Sequence, residues 1–362
     1  MEERLKSLWA EARELSLGTS SLVDRLELAP SSLRFLRDYV SANKPCIISS
    51  SATRHWPAIS DALWSNDAYL RRTLASTTVS VHLTPHGRAD SLVPLAGKGL
   101  CFASACVRAM PFPAALDLIT SSGSPTSPVV AYAQQQNNCF HEEYSALASD
   151  VDPHIPWATE ALGCFPDAVN LWIGNGRSET SFHKDHYENL YAVVTGEKHF
   201  LLFPPTELHR LYVRPYPAAC YSSVSGLSPE TGGLRLELEE PERLVPWCSV
   251  DPCPPTKEAM DQQMSAFPLY FQGPKPFQCT IKAGEILYLP SMWFHHVRQT
   301  PDDNGRTIAV NYWYDMQFDI KYAYFNLLSS IEFPPTSVTE PSEEKKNQED
   351  CLHSSPSHVS DH

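Results

Sequence analysis

No apolar run in these 362 residues is long enough to span a bilayer as a helix, so a membrane partner is not expected. No two of the ten cysteines form a CxxC pair, and their spacing does not suggest a zinc site. Mostly buried free thiols are expected, in a reducing compartment: the cytoplasm, with the nucleus as an alternative. Basic residues are scarce. There are 28 lysines and arginines against 42 aspartates and glutamates, a formal net charge of -14. That balance disfavours direct nucleic-acid binding by phosphate neutralisation and suits a lysine- or arginine-bearing polypeptide. HExxH and GxSxG are both missing, which removes two common hydrolase designs. The opening MEERLKSLWAEARELSL is charged throughout and reads as an amphipathic helix rather than a secretory signal.

Prolines are plentiful, 31 in all, and many fall between apolar runs, which favours short strands over long helices. Residues 3–16 suit a helix with Leu5, Leu8, Trp9, Ala12 and Leu15 on one stripe, and 31–40 suit a second behind Ser31 and Ser32 as caps. Helices are also expected over 60–74 and 111–121. Strands are expected at 45–48, 77–83 and 129–133, the second because Val79, Val81 and Leu83 alternate with Ser80 and His82. From 167 to 314 short apolar runs recur, several of them closed by Gly or Pro: 168–173, 190–195, 199–203, 277–281, 285–289, 293–297 and 307–314. Several short strands with turn signals indicate an all-β sandwich or barrel. Residues 206–276, rich in Pro, Ser and Gly, read as a long insert between strands. Residues 320–331 suit a C-terminal helix with wide apolar coverage, able to pack on the barrel or pair with a second copy. The remainder is polar and acidic, and too poor in apolar residues to offset the entropy of ordering.

The string with most chemistry is Thr180-Ser181-Phe182-His183-Lys184-Asp185-His186-Tyr187-Glu188-Asn189-Leu190-Tyr191. On a strand, His183 and Asp185 would face the same side. An imidazole and a carboxylate there supply two ligands of a facial triad, and a distant histidine supplies the third. A bare His-x-Asp is equally a surface polar pair. Support comes from Leu287-Tyr288-Leu289-Pro290-Ser291-Met292-Trp293-Phe294-His295-His296-Val297. Neighbours on a strand face opposite sides, so one of His295 and His296 reaches a metal, and strand geometry does not choose between them. Lys198, in Gly196-Glu197-Lys198-His199-Phe200, is either a solvated turn residue or a cation for a dicarboxylate. Asn311 among β-formers is either a structural buried amide or a cosubstrate contact.

These strings, with Ile155-Pro156-Trp157-Ala158-Thr159-Glu160-Ala161-Leu162-Gly163, resemble the jumonji-C oxygenases from about residue 30 to about 332. The resemblance implies a mainly β fold with flanking helices: a double-stranded β-helix (a cupin-like jelly roll) with an N-terminal α/β elaboration and a C-terminal helix. Residues 1–128 would form the elaboration, 129–333 the jelly roll with its helix, and 334–362 a disordered acidic tail. It implies Fe(II) on His183, Asp185 and His295, with 2-oxoglutarate and O2 as cosubstrates. The far carboxylate of 2-oxoglutarate would meet Lys198, Thr180 and Tyr132, with Asn189 and Asn311 close by. The branch it most resembles is described as lysyl hydroxylases of developmentally regulated GTP-binding proteins, which are translation-factor-type GTPases. Peptidase activity on basic or methylated histone tails has been attributed to it as well, and lysine demethylation is a further output of the same fold. A homodimer through the C-terminal helix is the expected assembly. His186, beside Asp185, is expected to face away from the metal. Residues 208–246 look lengthened and 268–278 atypical, so the substrate loops depart most from the family pattern.

Overall fold

The computed structural model describes residues 2–17 and 22–331. The segment 334–362, expected to be disordered, lies outside the described residues. Eight strands alternate between two facing sheets. The major sheet runs Ile286–Leu289, Tyr187–Thr195, Thr307–Asp315, Ala168–Gly174. The minor sheet runs Phe277–Lys282, Glu197–Phe203, Phe294–Thr300, Glu179–His183. Along the chain each of the eight strands is followed by one on the other sheet, except that Glu197–Phe203 and its antiparallel neighbour Phe277–Lys282 share the minor sheet across the intervening segment, and this makes the double-stranded β-helix. Every residue of Ala168–Gly174 is buried, as is every residue of Ile286–Leu289, because helices and loops cover the outer face of the major sheet.

The N-terminal third extends this framework. Asp24–Leu26 and Cys46–Ile48 add to the edge of the major sheet, with Cys46–Ile48 antiparallel to Ile286–Leu289. Ser31 caps the next helix as expected, its hydroxyl accepting from the Arg34 amide. The helix expected over 60–74 is broken into Pro57–Ser60, a 3-10 turn Leu63–Ser65 and Asp67–Thr73. The break has a local cause. Ala62 takes a left-handed conformation (φ 52°), and Asn66 turns its side chain to cap the last piece. No helix among the described residues is long and apolar enough to cross a membrane.

The segment read as an irregular insert is built quite differently. It contains the eleven-residue strand Val213–Ser223, the strands Leu234–Leu238 and Leu244–Cys248, and the helix Lys257–Ala266. Val213–Ser223 runs parallel to Gly99–Ser104, which hairpins with Ser91–Leu95, so insert and N-terminal third share one sheet. Prolines hid this strand. Pro215 and Pro217 lie where Val213–Ser223 pairs with Leu244–Cys248, before the parallel pairing begins at Ala218, so the missing amides cost that half of the strand little.

Candidate metal centre and cosubstrate pocket

His183 ends the strand Glu179–His183 and pairs directly across to His295 on Phe294–Thr300. Their ring centroids are 4.1 Å apart. Asp185 does not continue the strand, as simple i, i+2 reasoning expects. It lies in the loop that follows, where its carbonyl accepts from the Met292 amide at 2.9 Å. That bond folds the loop back, and Asp185 Oδ2 comes to 3.8 Å from His183 Nε2 and 3.6 Å from His295 Nε2. One ligand atom from each of the three lies within 4.8 Å of the others, a spacing suited to one metal ion.

The imidazoles are oriented for that task. His183 Nδ1 donates to the Ser181 carbonyl at 2.8 Å, and His295 Nδ1 donates to the Trp293 carbonyl at 3.1 Å. A carbonyl can only accept, so in each neutral ring the proton is on Nδ1 and the Nε2 lone pair faces the cluster. Burial pushes His295 down to about 3, aided by the neighbouring His183, so its ring is neutral and able to coordinate. His296 takes the opposite face and bonds Glu179 Oε1 at 2.9 Å. The cross-strand register thus decides between the two histidines. His186 also turns away, packing against Phe318 and Tyr322 with centroids 6.2 Å from each.

The cluster opens on a cavity of about 300 Å³ lined by Tyr132, Thr180, Asn189 and Asn311, all expected there, together with His183, Asp185 and His295. Lys198 sits behind this lining, 1% exposed, with its ammonium 2.9 Å from the Tyr132 hydroxyl. Desolvation lowers the lysine to about 7, while burial raises the Tyr132 phenol and keeps it protonated. The ammonium has three donors and, among the described residues, this single hydrogen-bond acceptor. A carboxylate reaching Lys198 and Tyr132 would supply the missing acceptor, so the residues present fit a dicarboxylate whose other end chelates the metal. On the opposite wall, Trp172 Nε1 donates to Asn311 Oδ1 at 2.8 Å. The Asn311 NH2 group donates to Asn189 Oδ1 at 3.3 Å. Because indole only donates, this chain fixes the orientation of the Asn311 amide.

Among the residues of the cavity wall that were not singled out in the sequence are Asp90, Phe102 and Trp247. Trp247 stacks on His183, centroids 6.1 Å apart and planes within 5°, and donates to Ser181 Oγ at 3.0 Å. Phe102 and Trp247 come from strands of the sheet that joins the insert to the N-terminal third, and Asp90 from the turn that leads into its strand Ser91–Leu95. No local signal marks them, because the pairings that assemble this sheet are long-range.

Among known families, the one described as "Cupin-like domain" matches residues 32–320. "Lysine-specific demethylase JMJ32" of Arabidopsis thaliana is 59% identical over 93% of this chain and 94% of its own. "Bifunctional peptidase and (3S)-lysyl hydroxylase JMJD7" of Homo sapiens is 42% identical over 91% of this chain and 95% of its own. "JmjC domain-containing protein E" of Dictyostelium discoideum is 35% identical over 84% of this chain and 87% of its own. The chain belongs to the cupin-like JmjC family, and the fold expected of that family is the one observed.

Proposed function

We propose that this JmjC-family chain is an Fe(II)- and 2-oxoglutarate-dependent oxygenase that hydroxylates a carbon of a protein lysine, with a lysine of a GTP-binding protein as the candidate substrate. The observation that carries the oxygenase reading is the pairing, across one cavity, of the His183, Asp185 and His295 cluster with a buried ammonium short of acceptors. The lysine reading is supported by the relative whose name includes lysyl hydroxylase, aligned over nearly its whole length. When bound, Fe(II), 2-oxoglutarate and O2 would supply the oxidant, with 2-oxoglutarate leaving as succinate and carbon dioxide.

The chain's own residues have simpler tasks. His183 and His295 present their Nε2 atoms to the metal, the rings held in place by backbone carbonyls on Nδ1. Asp185 supplies the anionic ligand. Lys198 and Tyr132 fix the far carboxylate, and Thr180 lines the same cavity. The aromatic walls limit water around a reactive centre. No side-chain nucleophile is required.

A second reading is favoured by a specific finding, the 59% identity to a protein named as a lysine demethylase. Both reactions oxidise a carbon near the metal, on the lysine stem in one case and on an N-methyl group in the other. Mass spectrometry separates them. The purified protein is incubated with Fe(II), 2-oxoglutarate, O2 and a candidate GTP-binding protein, or with a methyl-lysine peptide. Gain of one retained oxygen on a lysine, lost without 2-oxoglutarate, is the expected result. Loss of methyl groups with formaldehyde release would favour demethylation. Cleavage that persists without 2-oxoglutarate would favour the peptidase alternative, in which the metal activates water.

A further inference from the structure

The cavity contains a carboxylate that the metal centre does not use. Asp90 lies between Arg88–Ala89 and Ser91–Leu95, in a left-handed conformation (φ 52°), and lines the cavity without belonging to the ligand cluster. Among the described residues its carboxylate makes no hydrogen bond and no ion pair. The nearest candidate cation in the lining, Lys184, is turned elsewhere, 3.9 Å from Met292 Sδ and 5.8 Å from the centre of the Phe294 ring. A carboxylate only partly exposed to water and without a partner is costly, and such groups are normally paired.

Two aromatic rings share this wall. Phe102 and Trp247 pack with centroids 4.6 Å apart, and Trp247 also stacks on His183. Ser181 ties the arrangement to the metal strand. Its carbonyl orients His183, its hydroxyl donates to the Asp90 carbonyl at 2.6 Å, and the same hydroxyl accepts from Trp247. An apolar, electron-rich wall beside an unpaired carboxylate is the chemistry that receives an alkylammonium: the rings cover the methylenes and the carboxylate meets the charge.

We infer that Asp90, with Phe102 and Trp247, forms the subsite for the ammonium end of the substrate lysine. This rests on the oxygenase reading above and adds a preference to it. A carboxylate rewards N–H donors, so the subsite favours lysine with an unmodified ammonium over trimethyl-lysine, and it anchors the nitrogen while the stem is presented to the metal.

The test uses the full chain loaded with Mn(II) and 2-oxoglutarate, with n-butylammonium as probe and 1-butanol as its neutral counterpart. Paramagnetic relaxation of the probe protons reports binding near the metal without turnover. Butylammonium is expected to bind at least about tenfold more tightly than butanol. In Asp90→Asn, a near-isosteric change that suits left-handed backbone and has no partner to lose, the preference should fall to near unity. Asp90→Glu should keep part of it. No preference in the wild type, or an undiminished one in Asp90→Asn, overturns the subsite. If Mn(II) fails to relax the protons of 2-oxoglutarate, the metal reading itself fails and the subsite falls with it, so the two failures are told apart.

Discussion

Two imidazoles and one carboxylate meet with their lone pairs already turned inward, and that arrangement sets what single substitutions should do. Asp185→Ala removes the anionic ligand but leaves the backbone carbonyl that holds the loop to Met292. Succinate production is expected to fall by at least about a hundredfold, with the thermal unfolding midpoint little changed. Undiminished succinate would sink the ligand assignment. Lys198 permits a sharper prediction. Its ammonium is the form that attracts a dicarboxylate, and burial lowers it to about 7. In the empty pocket the charged fraction therefore declines as pH rises through about 7, and 2-oxoglutarate affinity should weaken by about tenfold per pH unit above it. The stability contribution has the opposite sense. The unfolded lysine holds its proton up to about 10.4, so unfolding takes up a proton above pH 7, and this group adds stability with rising pH across that window. Lys198→Met should abolish the pH dependence of binding and raise the KM for 2-oxoglutarate at least about a hundredfold. The variant should nonetheless melt no lower than wild type, since a poorly paired buried charge has been removed. Isothermal titration at several pH values, with a melting curve for each variant, checks both halves.

At the scale of elements, the pocket depends on a close approach between two strands. Gly174 ends Ala168–Gly174, and a Cβ there would come within 2.4 Å of Gln299 Nε2 and 2.8 Å of the Tyr132 ring. Gly174→Ala should displace Tyr132, and with it the hydroxyl that holds Lys198. The KM for 2-oxoglutarate is then expected to rise while bound metal stays near one per chain, as atomic absorption would show. An unchanged KM would mean that Tyr132 does not position the cosubstrate. Much of this centre was legible in sequence, and the reason is locality. His183 and Asp185 are two residues apart, and short apolar runs marked the strands carrying His295, Lys198 and Asn311. Strand geometry alone left His295 and His296 open and the family resemblance pointed to His295; the physical reason is the register His183↔His295 between strands more than a hundred residues apart. Asp90, Phe102 and Trp247 were invisible for a related reason. Phe102 and Trp247 lie on a sheet that joins segments over a hundred residues apart and whose longest strand carries two prolines, and Asp90 sits in the turn leading into it. Apart from Tyr132, which ends Val130–Tyr132 in a separate three-stranded sheet, the metal and cosubstrate residues thus come from the locally patterned jelly roll, and the proposed substrate wall from the part that only tertiary pairing assembles.

At the scale of the whole molecule, the C-terminal helix presents an exposed apolar face. Ile320–Ser330 has no buried residue, yet it carries Ile320, Tyr324 and Leu327 at about 60% exposure, with Phe318 just ahead of it. Four large apolar side chains left in water on one short segment are the usual mark of an interaction face. The homodimer expected from sequence would cover them with the same helix of a second copy, since a two-fold interface is self-complementary. Deleting the helix is a poor test, because Phe318 and Tyr322 pack on His186, next to the ligand Asp185. Substituting only the outward residues avoids this. Ile320→Glu with Leu327→Glu places like charges opposite each other in such a dimer and leaves the His186 contacts in place. Sedimentation equilibrium should give twice the chain mass for the wild type and the single-chain mass for the double variant. Succinate production distinguishes assembly from chemistry: a monomeric variant that retains its turnover shows a site complete within one chain. A wild type that sediments as a monomer would leave the helix to some other partner and remove the dimer altogether.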